Sequence, residues 1–361
     1  MDVGQYVFLI LLMMALLMAD RDKIIDSFLV QCGWQKGHRR PLADDASFRR
    51  YERVCSGARS VVLMDAPPDY EDIKSFVYVA NYLHKLGCSV PKILEIDVIN
   101  GLLLLEDFGD DTYTKCLEKK PVSELYLYSL AVDTLVHLQR ASCLQTCERL
   151  EIYRSELMID EACVILDWYY PHVFGRSVPE GDRKVFRSLW KEKLNIISNE
   201  LRVLVLRDYH VDNLIRLRGR GGILECGILD FQDAVMGSGI YDLMSLLEDA
   251  RRDVTSSLFS QMKDRYFSAM SDLAIWPGGR KEFDRIFALL GAVRHAKVIG
   301  VFARLAIRDN KSNYLIHLPR VWSLLEQSLA DPSLKELKAW FWKFFPKEKR
   351  FIKNQVEWLD R

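Results

Sequence analysis

The spacing of apolar residues before residue 105 alternates between strand-like and helical segments. Gly57 lies between two β-rich stretches, as a hairpin requires, and Pro67 and Pro68 end the second stretch. The elements that this pattern predicts are a helix at Asp22–Cys32, strands at Phe48–Val54 and Ser60–Met64, a helix at Tyr70–Leu86, and strands at Ser89–Leu94 and Gly101–Glu106. Such an order predicts a small α+β lobe of about ninety residues.

Beyond a polar break at residues 107–111, nearly all periodic segments are helical. They are Val122–Ala141, Ile159–Tyr169, Gly181–Asn199, Tyr241–Asp249, Ser256–Leu273, Lys281–Asn310 and Leu318–Ala330. One β-rich island, at Arg202–Leu217 and Gly222–Asp230, interrupts them. We therefore expect a small lobe at 19–108 and a mainly helical lobe at 109–361. The segment from Lys335 to Arg361 is expected to pack an aromatic helical face on the core, and a tail that binds membrane or nucleic acid is the alternative.

The net charge and the cysteine content indicate which binding partners and which cellular compartment to expect. Lysine plus arginine equals aspartate plus glutamate, 50 against 50, so the chain has no net attraction for nucleic acid or anionic membrane. The eight cysteines are scattered, and the one close pair, Cys143 and Cys147, lacks the partners of a zinc site. Unpaired cysteines indicate a reducing compartment, so we expect a cytoplasmic protein with no nucleic-acid partner.

The first 18 residues form an apolar leader. The uninterrupted apolar run, Tyr6–Ala19, has 14 residues, fewer than the roughly 20 that span a bilayer as a helix. It also lacks the basic flank of a secretory signal. A weak membrane anchor, an unusual signal peptide and an extension from a misassigned start before Met18 remain open. A membrane partner is expected only if the run is an anchor.

The residues with the clearest chemistry lie in the β-rich island. Asp208 and Asn213 are five positions apart between two predicted strands, and Asp230 ends the next apolar strand. Phosphoryl transfer needs a carboxylate that accepts a proton from the acceptor hydroxyl, and oxygen ligands that hold Mg²⁺ against the phosphates. This spacing is typical of a kinase catalytic loop and its metal-binding aspartate. The alternative, that the aspartates are turn residues, does not explain the combination.

These motifs resemble the aminoglycoside phosphotransferase/choline kinase superfamily, whose loop reads His-x-Asp-x-His-x-x-Asn. Asp208, His210 and Asn213 match this pattern, and Leu206 replaces its first histidine. Four further stretches resemble most the bacterial branch of anomeric N-acetylmuramate and N-acetylglucosamine kinases: DASFRRY from 45, LMDAPP from 63, LLLED from 103 and LDFQDA from 229. The resemblance implies a protein-kinase-like bilobal fold and an ATP- and Mg²⁺-dependent enzyme. Its small-molecule acceptor would be such an amino sugar, in peptidoglycan recycling.

The resemblance also implies a role for each matching residue. Asp208 would be the catalytic base, and Asn213 and Asp230 would be the Mg²⁺ ligands. Nucleotide contacts would come from Ser47, Arg49, Leu105, Glu106 and Asp107, and support of the catalytic loop from Arg207, His210 and Asp242.

One departure from the kinase pattern concerns the phosphates of the nucleotide. The strand lysine that pairs the α- and β-phosphates is missing from Ser60–Asp65, as it is in the branch that the chain resembles. Arg49, Arg50 and Lys74 are the candidates for that contact, and a solvated surface charge is the alternative for each of them.

Acceptor contacts are predicted at two places in the helical lobe. Asp167 and Trp168 would hydrogen-bond and stack on a sugar, although a core face explains Trp168 equally well. Arg294, Lys297 and Arg304 recur at roughly helical spacing and suit a carboxylate such as the lactyl group of muramic acid; an exposed charged face is the alternative.

Two other functions remain open at this stage. The first is a kinase of the same fold for an aminoglycoside, a choline-like alcohol or another small alcohol. The second is a nucleotide-binding protein without catalytic activity, which the missing lysine and Leu206 would favour.

Overall fold

The computed structural model describes residues 20–42, 49–119, 124–143, 149–197, 200–273 and 275–350. The apolar leader, Ser47 and the segment after residue 350 lie outside these ranges. The first lobe contains helix α1 at 20–31, strands β1 (His38–Pro41), β2 (Arg50–Ser56) and β3 (Arg59–Asp65), helix α2 (Ile73–Lys85), and strands β4 (Ile93–Asp97) and β5 (Leu102–Glu106). The strands form one antiparallel sheet in the order β1-β2-β3-β5-β4.

Alternation along the strands gives the sheet two apolar faces. Val54, Leu63 and Leu104 pack against α1, whereas Met64, Leu103 and Leu105 belong to the core that contains α2 and the second lobe. Arg21 of α1 adds a bidentate contact, its Nε and Nη2 lying 3.0 and 2.6 Å from Asp65 Oδ1. The sheet is therefore covered by α1 on one side and by α2 on the other.

Two predictions for this lobe differ from the structure. The strand predicted at Ser89–Leu94 begins later, at Ile93, because Val90 is buried in the core before Pro91 and Ser89 makes only an isolated bridge to Gly227. Strand β1 was not predicted, since its sequence, His-Arg-Arg-Pro, has no apolar alternation. It is an edge strand, where charged residues and proline are tolerated.

The second lobe is mainly helical, as predicted. Its helices are α3 (Tyr113–Lys119), α4 (Glu124–Cys143), α5 (Ser155–Val164), α6 (Tyr170–Phe174), α7 (Glu180–Leu194), α8 (Ile240–Leu247), α9 (Ser256–Met270), α10 (Gly279–Asp309), α11 (Leu318–Ser328), α12 (Lys335–Phe344) and α13 (Lys347–Arg350). Its strands are β6 (Val203–Val205), β7 (Leu214–Arg216), β8 (Cys226–Ile228) and β9 (Val235–Gly237). The linker between the lobes, residues 107–112, is attached to β7: the backbone N–H of Arg216 donates to the carbonyl of Asp111 at 2.8 Å, and Thr112 forms a bridge with Ile215.

Helix α10 is the central helix of this lobe. By length and composition it is the one described helix that could span a bilayer, yet 78% of its most apolar window is buried inside the protein. It crosses α5 where α5 passes into a π-helical turn, Ile165–Tyr169. A Cβ atom on Gly300 would lie 2.4 Å from the carbonyl carbon of Val164, so glycine is required at the crossing.

The aromatic residues near the end of the described chain pack on the core, as their spacing predicted. Phe341 of α12 is fully buried, and its ring lies 5.6 Å from the ring of Phe186 of α7. Trp340 packs against the same phenylalanine at 4.4 Å between ring centroids. This helix therefore closes the far side of the second lobe.

Candidate active site

The segment that connects β6 to β7 forms a loop framed by two short antiparallel ladders. Strand β6 pairs with β9, and β7 pairs with β8. Because β8 leads directly into Asp230, the two ladders bring the loop and the Asp230 turn together. The backbone N–H of Leu229 donates to the carbonyl of Asn213 at 2.9 Å, which fixes the contact.

Asn213 and Asp230 meet at the centre of this arrangement. The Asn213 Nδ2 lies 3.0 Å from the carbonyl oxygen of Asp208 and 3.3 Å from Asp230 Oδ2. Asp230 has a φ of 56°, a left-handed conformation that costs a non-glycine residue about 1–3 kcal/mol and recurs at functional sites. Gln232 donates its side-chain N–H to Asp230 Oδ1 at 2.7 Å. Together the two side chains offer carboxylate and amide oxygens, the donors that Mg²⁺ accepts from protein alongside phosphate and water.

Asp208 lies in a positive electrostatic environment. Burial alone would raise the pKa of its carboxyl, but the charges of Lys297 and Arg294 outweigh that effect and lower the pKa. The carboxylate is therefore ionised at neutral pH. In that state it accepts a hydrogen bond from a hydroxyl group.

The turn before Asp208 is strained and is held by a buried carboxylate. Arg207 has a φ of 72°. Asp242 of α8 is fully buried, and its two oxygens accept the backbone N–H groups of Leu206 at 2.7 Å and Arg207 at 2.9 Å. Burial raises the pKa of Asp242 to about 7 although both N–H donors favour its charged form. The bonds fix the backbone direction with which the chain enters the loop.

His210 lies on the inner side of the same loop. Its Nε2 is 3.4 Å from Asn213 Nδ2, and its carbonyl accepts the backbone N–H of Asn213 at 2.9 Å. Burial lowers the pKa of this histidine, so the imidazole is neutral near pH 7. The residue thus supports the position of Asn213 without adding charge.

A charged cluster lies beside Asp208, in which the predicted Arg207, Arg294 and Lys297 are joined by a residue that the sequence did not predict, Glu161. Glu161 of α5 accepts hydrogen bonds from Lys297 Nζ at 2.9 Å, from Arg207 Nη2 and from the hydroxyl of Tyr153. Within the described ranges, the buried Nη1 of Arg294 has no hydrogen-bond partner. Three cations therefore share this side of the site with one glutamate. Glu161 was missed because α5 contains three acidic residues, and nothing in the local sequence distinguishes the one that contacts distant cations.

The other predicted acceptor residues have different surroundings. Asp167 is exposed and pairs with Arg183 of α7 at 2.6 Å. Trp168, in the π-helical turn, packs against the core of the lobe. Arg304 lies about two turns beyond Lys297 on α10, where burial and Arg308 lower its pKa. The structure brings Arg294 and Lys297 to the loop, whereas Asp167 and Trp168 have contacts elsewhere; within the described ranges, the buried Nε of Arg304 has no hydrogen-bond partner.

Of the predicted nucleotide-binding residues that the structure describes, Leu105, Glu106 and Asp107 lie where the sheet meets the linker, and Arg49 lies at the opposite end of the sheet. Leu105 is buried in the sheet, and Glu106 pairs with Arg220 at 2.7 Å. Arg53 of β2 holds the linker from inside: its Nε lies 2.7 Å from Asp107 Oδ2, and its Nη1 lies 2.9 Å from Asp110 Oδ2. Arg49 lies one residue before β2 and donates from Nε to Glu71 at 3.0 Å.

Comparison with known proteins gives consistent matches. The model of the phosphotransferase enzyme family matches residues 38–278. The N-acetylmuramate/N-acetylglucosamine kinase of Caulobacter vibrioides is 32% identical over 92% of this chain and 99% of its own length. The protein of the same name from Pseudomonas aeruginosa is 36% identical over 82% of this chain and 86% of its own. A choline kinase structure from Streptococcus pneumoniae has the same fold, with a TM-score of 0.58 at 13% identity over 85% of this chain and 99% of that one.

Proposed function

Because the chain belongs to the phosphotransferase enzyme family, we propose that it transfers the γ-phosphoryl group of ATP to the anomeric hydroxyl of N-acetylmuramate and N-acetylglucosamine. The proposal rests on the assembly of Asp208, Asn213 and Asp230 at one point, with Asn213 Nδ2 within 3.3 Å of the Asp230 carboxylate. The curated relatives, named for these two sugars, support this choice of acceptor. A role in peptidoglycan recycling in the cytoplasm, where ATP is available, follows from it.

Asp208 is the proposed catalytic base. Its lowered pKa keeps it ionised, so it accepts a hydrogen bond from the anomeric hydroxyl, orients the oxygen toward the γ-phosphorus and takes up its proton. Asn213 and Asp230 would hold Mg²⁺, which when bound neutralises charge on the phosphates. Asp242 keeps the loop in place through its bonds to Leu206 and Arg207.

The cations beside Asp208 favour an acidic acceptor. Arg294 and Lys297 act on the same carboxylate, and Glu161 balances only part of their charge. The lactyl carboxylate of N-acetylmuramate would lie against these two cations, whereas N-acetylglucosamine has no carboxylate to pair with them. The Lys297→Met variant should therefore raise KM for N-acetylmuramate by at least about tenfold, the loss of one charge-assisted hydrogen bond, and change KM for N-acetylglucosamine far less.

The function is tested by direct assay of the acceptor. Purified protein is incubated with ATP and Mg²⁺ and with N-acetylmuramate, N-acetylglucosamine, kanamycin or choline, and the products are identified by mass spectrometry and ³¹P NMR. A 1-phosphate of the amino sugars is expected. The methyl glycoside of N-acetylglucosamine, whose anomeric oxygen is blocked, should give no product, and neither should Asp208→Ala. Phosphorylation of the methyl glycoside or of kanamycin instead would contradict the proposal.

A further inference from the structure

The described strands of the first lobe carry no lysine on the face that is turned toward the second lobe. Directly paired residues of antiparallel strands share a face, and Tyr51 pairs with Met64 and Arg53 with Val62. Met64 lies in the core between α2 and the second lobe, so this is the inner face. Strand β3 presents the apolar Val62 and Met64 there. By the same alternation, Arg49 lies on the inner face at the entrance to β2.

Arg49 is held by an acidic residue at the start of α2. Its Nε lies 3.0 Å from Glu71 Oε2, and both side chains are 14% exposed. Burial alone would lower the pKa of Arg49, but Tyr51, Glu71 and Asp233 together raise it, so the guanidinium stays charged. Glu71 lies two residues before the first residue of α2, so the ion pair joins the β2 entrance to that helix.

The start of α2 also docks on the turn that carries the candidate metal ligand. The hydroxyl of Ser75 donates to the carbonyl of Gln232 at 2.7 Å, and the rings of Phe76 and Phe231 lie 4.9 Å apart. Gln232 in turn bonds to Asp230. The charge of Asp233, three residues after Asp230, acts directly on Arg49. Arg49 therefore lies at the junction of the sheet, α2 and the Asp230 turn.

The other basic residues near this junction have different positions. Arg50 alternates to the outer face and shares Asp65 with Arg21 of α1. Lys74 is exposed on α2, and the guanidinium of Arg53 is bound by two linker aspartates. Of the candidates, Arg49 alone combines a place on the inner face with an ion pair to Glu71, just ahead of α2.

We infer that Arg49, oriented by Glu71, supplies the positive charge that meets the α- and β-phosphates of the nucleotide, in place of the strand lysine of other kinases. This inference rests on the proposed function. A guanidinium has five N–H donors in a planar fork, so its Nε can bond to a carboxylate while its terminal nitrogens bind phosphate oxygens. The pair would correspond to the lysine–glutamate pair of protein kinases, with an arginine from the β2 entrance and a glutamate ahead of α2.

The test compares two ligands that differ only in their phosphates. Dissociation constants of ADP with Mg²⁺ and of adenosine are measured by calorimetry for the wild-type protein and the Arg49→Gln variant. ADP binding should weaken by about 10- to 100-fold, the value of one charge-assisted contact, while adenosine binding stays within about twofold. The matched control is Arg59→Gln. Arg59 begins β3 of the same sheet, and its guanidinium lies over the Trp34 ring, so this variant should bind both ligands as wild type does. Arg49→Lys should restore part of the ADP affinity.

Glu71→Gln tests the orientation of the guanidinium. Losing the glutamate should raise KM for ATP by less than the loss of Arg49 does, because the cation remains. In the Arg49→Gln background, the same Glu71 change should have little further effect on ADP affinity.

Three results would overturn the inference. The first is wild-type affinity for ADP in Arg49→Gln. The second is an equal loss for ADP and adenosine, which would indicate a purely structural role. The third is a selective ADP loss in Arg50→Gln or Lys74→Gln alone. If the wild-type protein binds ADP and phosphorylates the sugars, these results leave the proposed function intact; if it does neither, both proposals fail.

Discussion

The buried carboxylate of Asp242 offers the sharpest test of how the catalytic loop is held. Its two oxygens accept one backbone N–H each, from Leu206 at 2.7 Å and from Arg207 at 2.9 Å, and the residue is fully buried. Replacing it with asparagine keeps the size and one acceptor oxygen. The second oxygen becomes an NH₂ group, which directs hydrogens at a backbone N–H instead of accepting its hydrogen.

The expected magnitude follows from these contacts. Above the pKa of about 7, where Asp242 is ionised, one buried N–H loses its acceptor, which costs about 1–3 kcal/mol, and the remaining bond is no longer charge-assisted, which costs about 1 kcal/mol more. Arg207, held at a φ of 72°, is then free to relax from its strained conformation. We expect Asp242→Asn to be destabilised by about 2–4 kcal/mol. Since a shift of about 1 Å in a catalytic group reduces rates by roughly 100-fold, kcat should fall by about that factor.

The assay pairs urea unfolding with steady-state kinetics of sugar phosphorylation, using Ser142→Ala as the matched control. The Ser142 hydroxyl accepts the backbone N–H of Leu204, on the strand that leads into the same loop, at 3.0 Å. The control also removes a buried acceptor, so it should lose about 1–3 kcal/mol of stability. It does not touch the turn at Arg207, so its kcat should remain near wild type. Wild-type kcat in Asp242→Asn, or an equal loss of kcat in both variants, would refute the reasoning.

Three further predictions concern the metal ligand, a buried acid and a helix crossing. Asp230→Asn should lower kcat by at least about 100-fold, or about 2.7 kcal/mol of lost charge stabilisation, with an unchanged melting temperature; wild-type turnover would contradict the assignment. Burial raises the pKa of Glu200 from 4.5 to about 7, so its contribution to stability is complete below pH 4.5 and is lost as the pH rises through 7. Urea unfolding should show that the wild-type protein loses up to about 3 kcal/mol more unfolding free energy than Glu200→Gln does between pH 4.5 and 8. Parallel pH profiles of stability for the two proteins would contradict the raised pKa of Glu200. Gly300→Ala places a Cβ atom 2.4 Å from the Val164 backbone, so it should lower the free energy of unfolding by about 3 kcal/mol or more; a wild-type value would show that the helices separate freely.

The sequence predicted those parts of the fold that depend on local periodicity. The two-lobe architecture, the mainly helical second lobe and the hairpin around Gly57 all follow from apolar spacing and turn residues. Edge strand β1 and the late start of β4 could not be predicted that way. One lacks apolar alternation, and the other begins after a buried segment that reads as strand but packs as coil.

In the site, the sequence indicated the residues that share a motif and missed those that meet only in space. Asp208, Asn213 and Asp230 lie within 23 positions, so a known spacing could place them together. Glu161 reaches Lys297 across 136 positions. The Arg49–Glu71 pair spans 22 positions and depends on strand alternation and on the docking of α2. No local pattern encodes such contacts, because they arise when separate elements pack.

The ion pairs between Arg53 and the linker indicate where one lobe can rotate relative to the other. Arg53 fastens Asp107 and Asp110 to the sheet, whereas Asp111 and Thr112 are already hydrogen-bonded or bridged to the strand that begins at Leu214. The attachment of the linker thus passes from the sheet to β7 between Asp110 and Asp111. Rotation of one lobe against the other would be concentrated in the peptide unit between Asp110 and Asp111. A split or circularly permuted version of the protein should accordingly be cut there, so that each half keeps its own anchors.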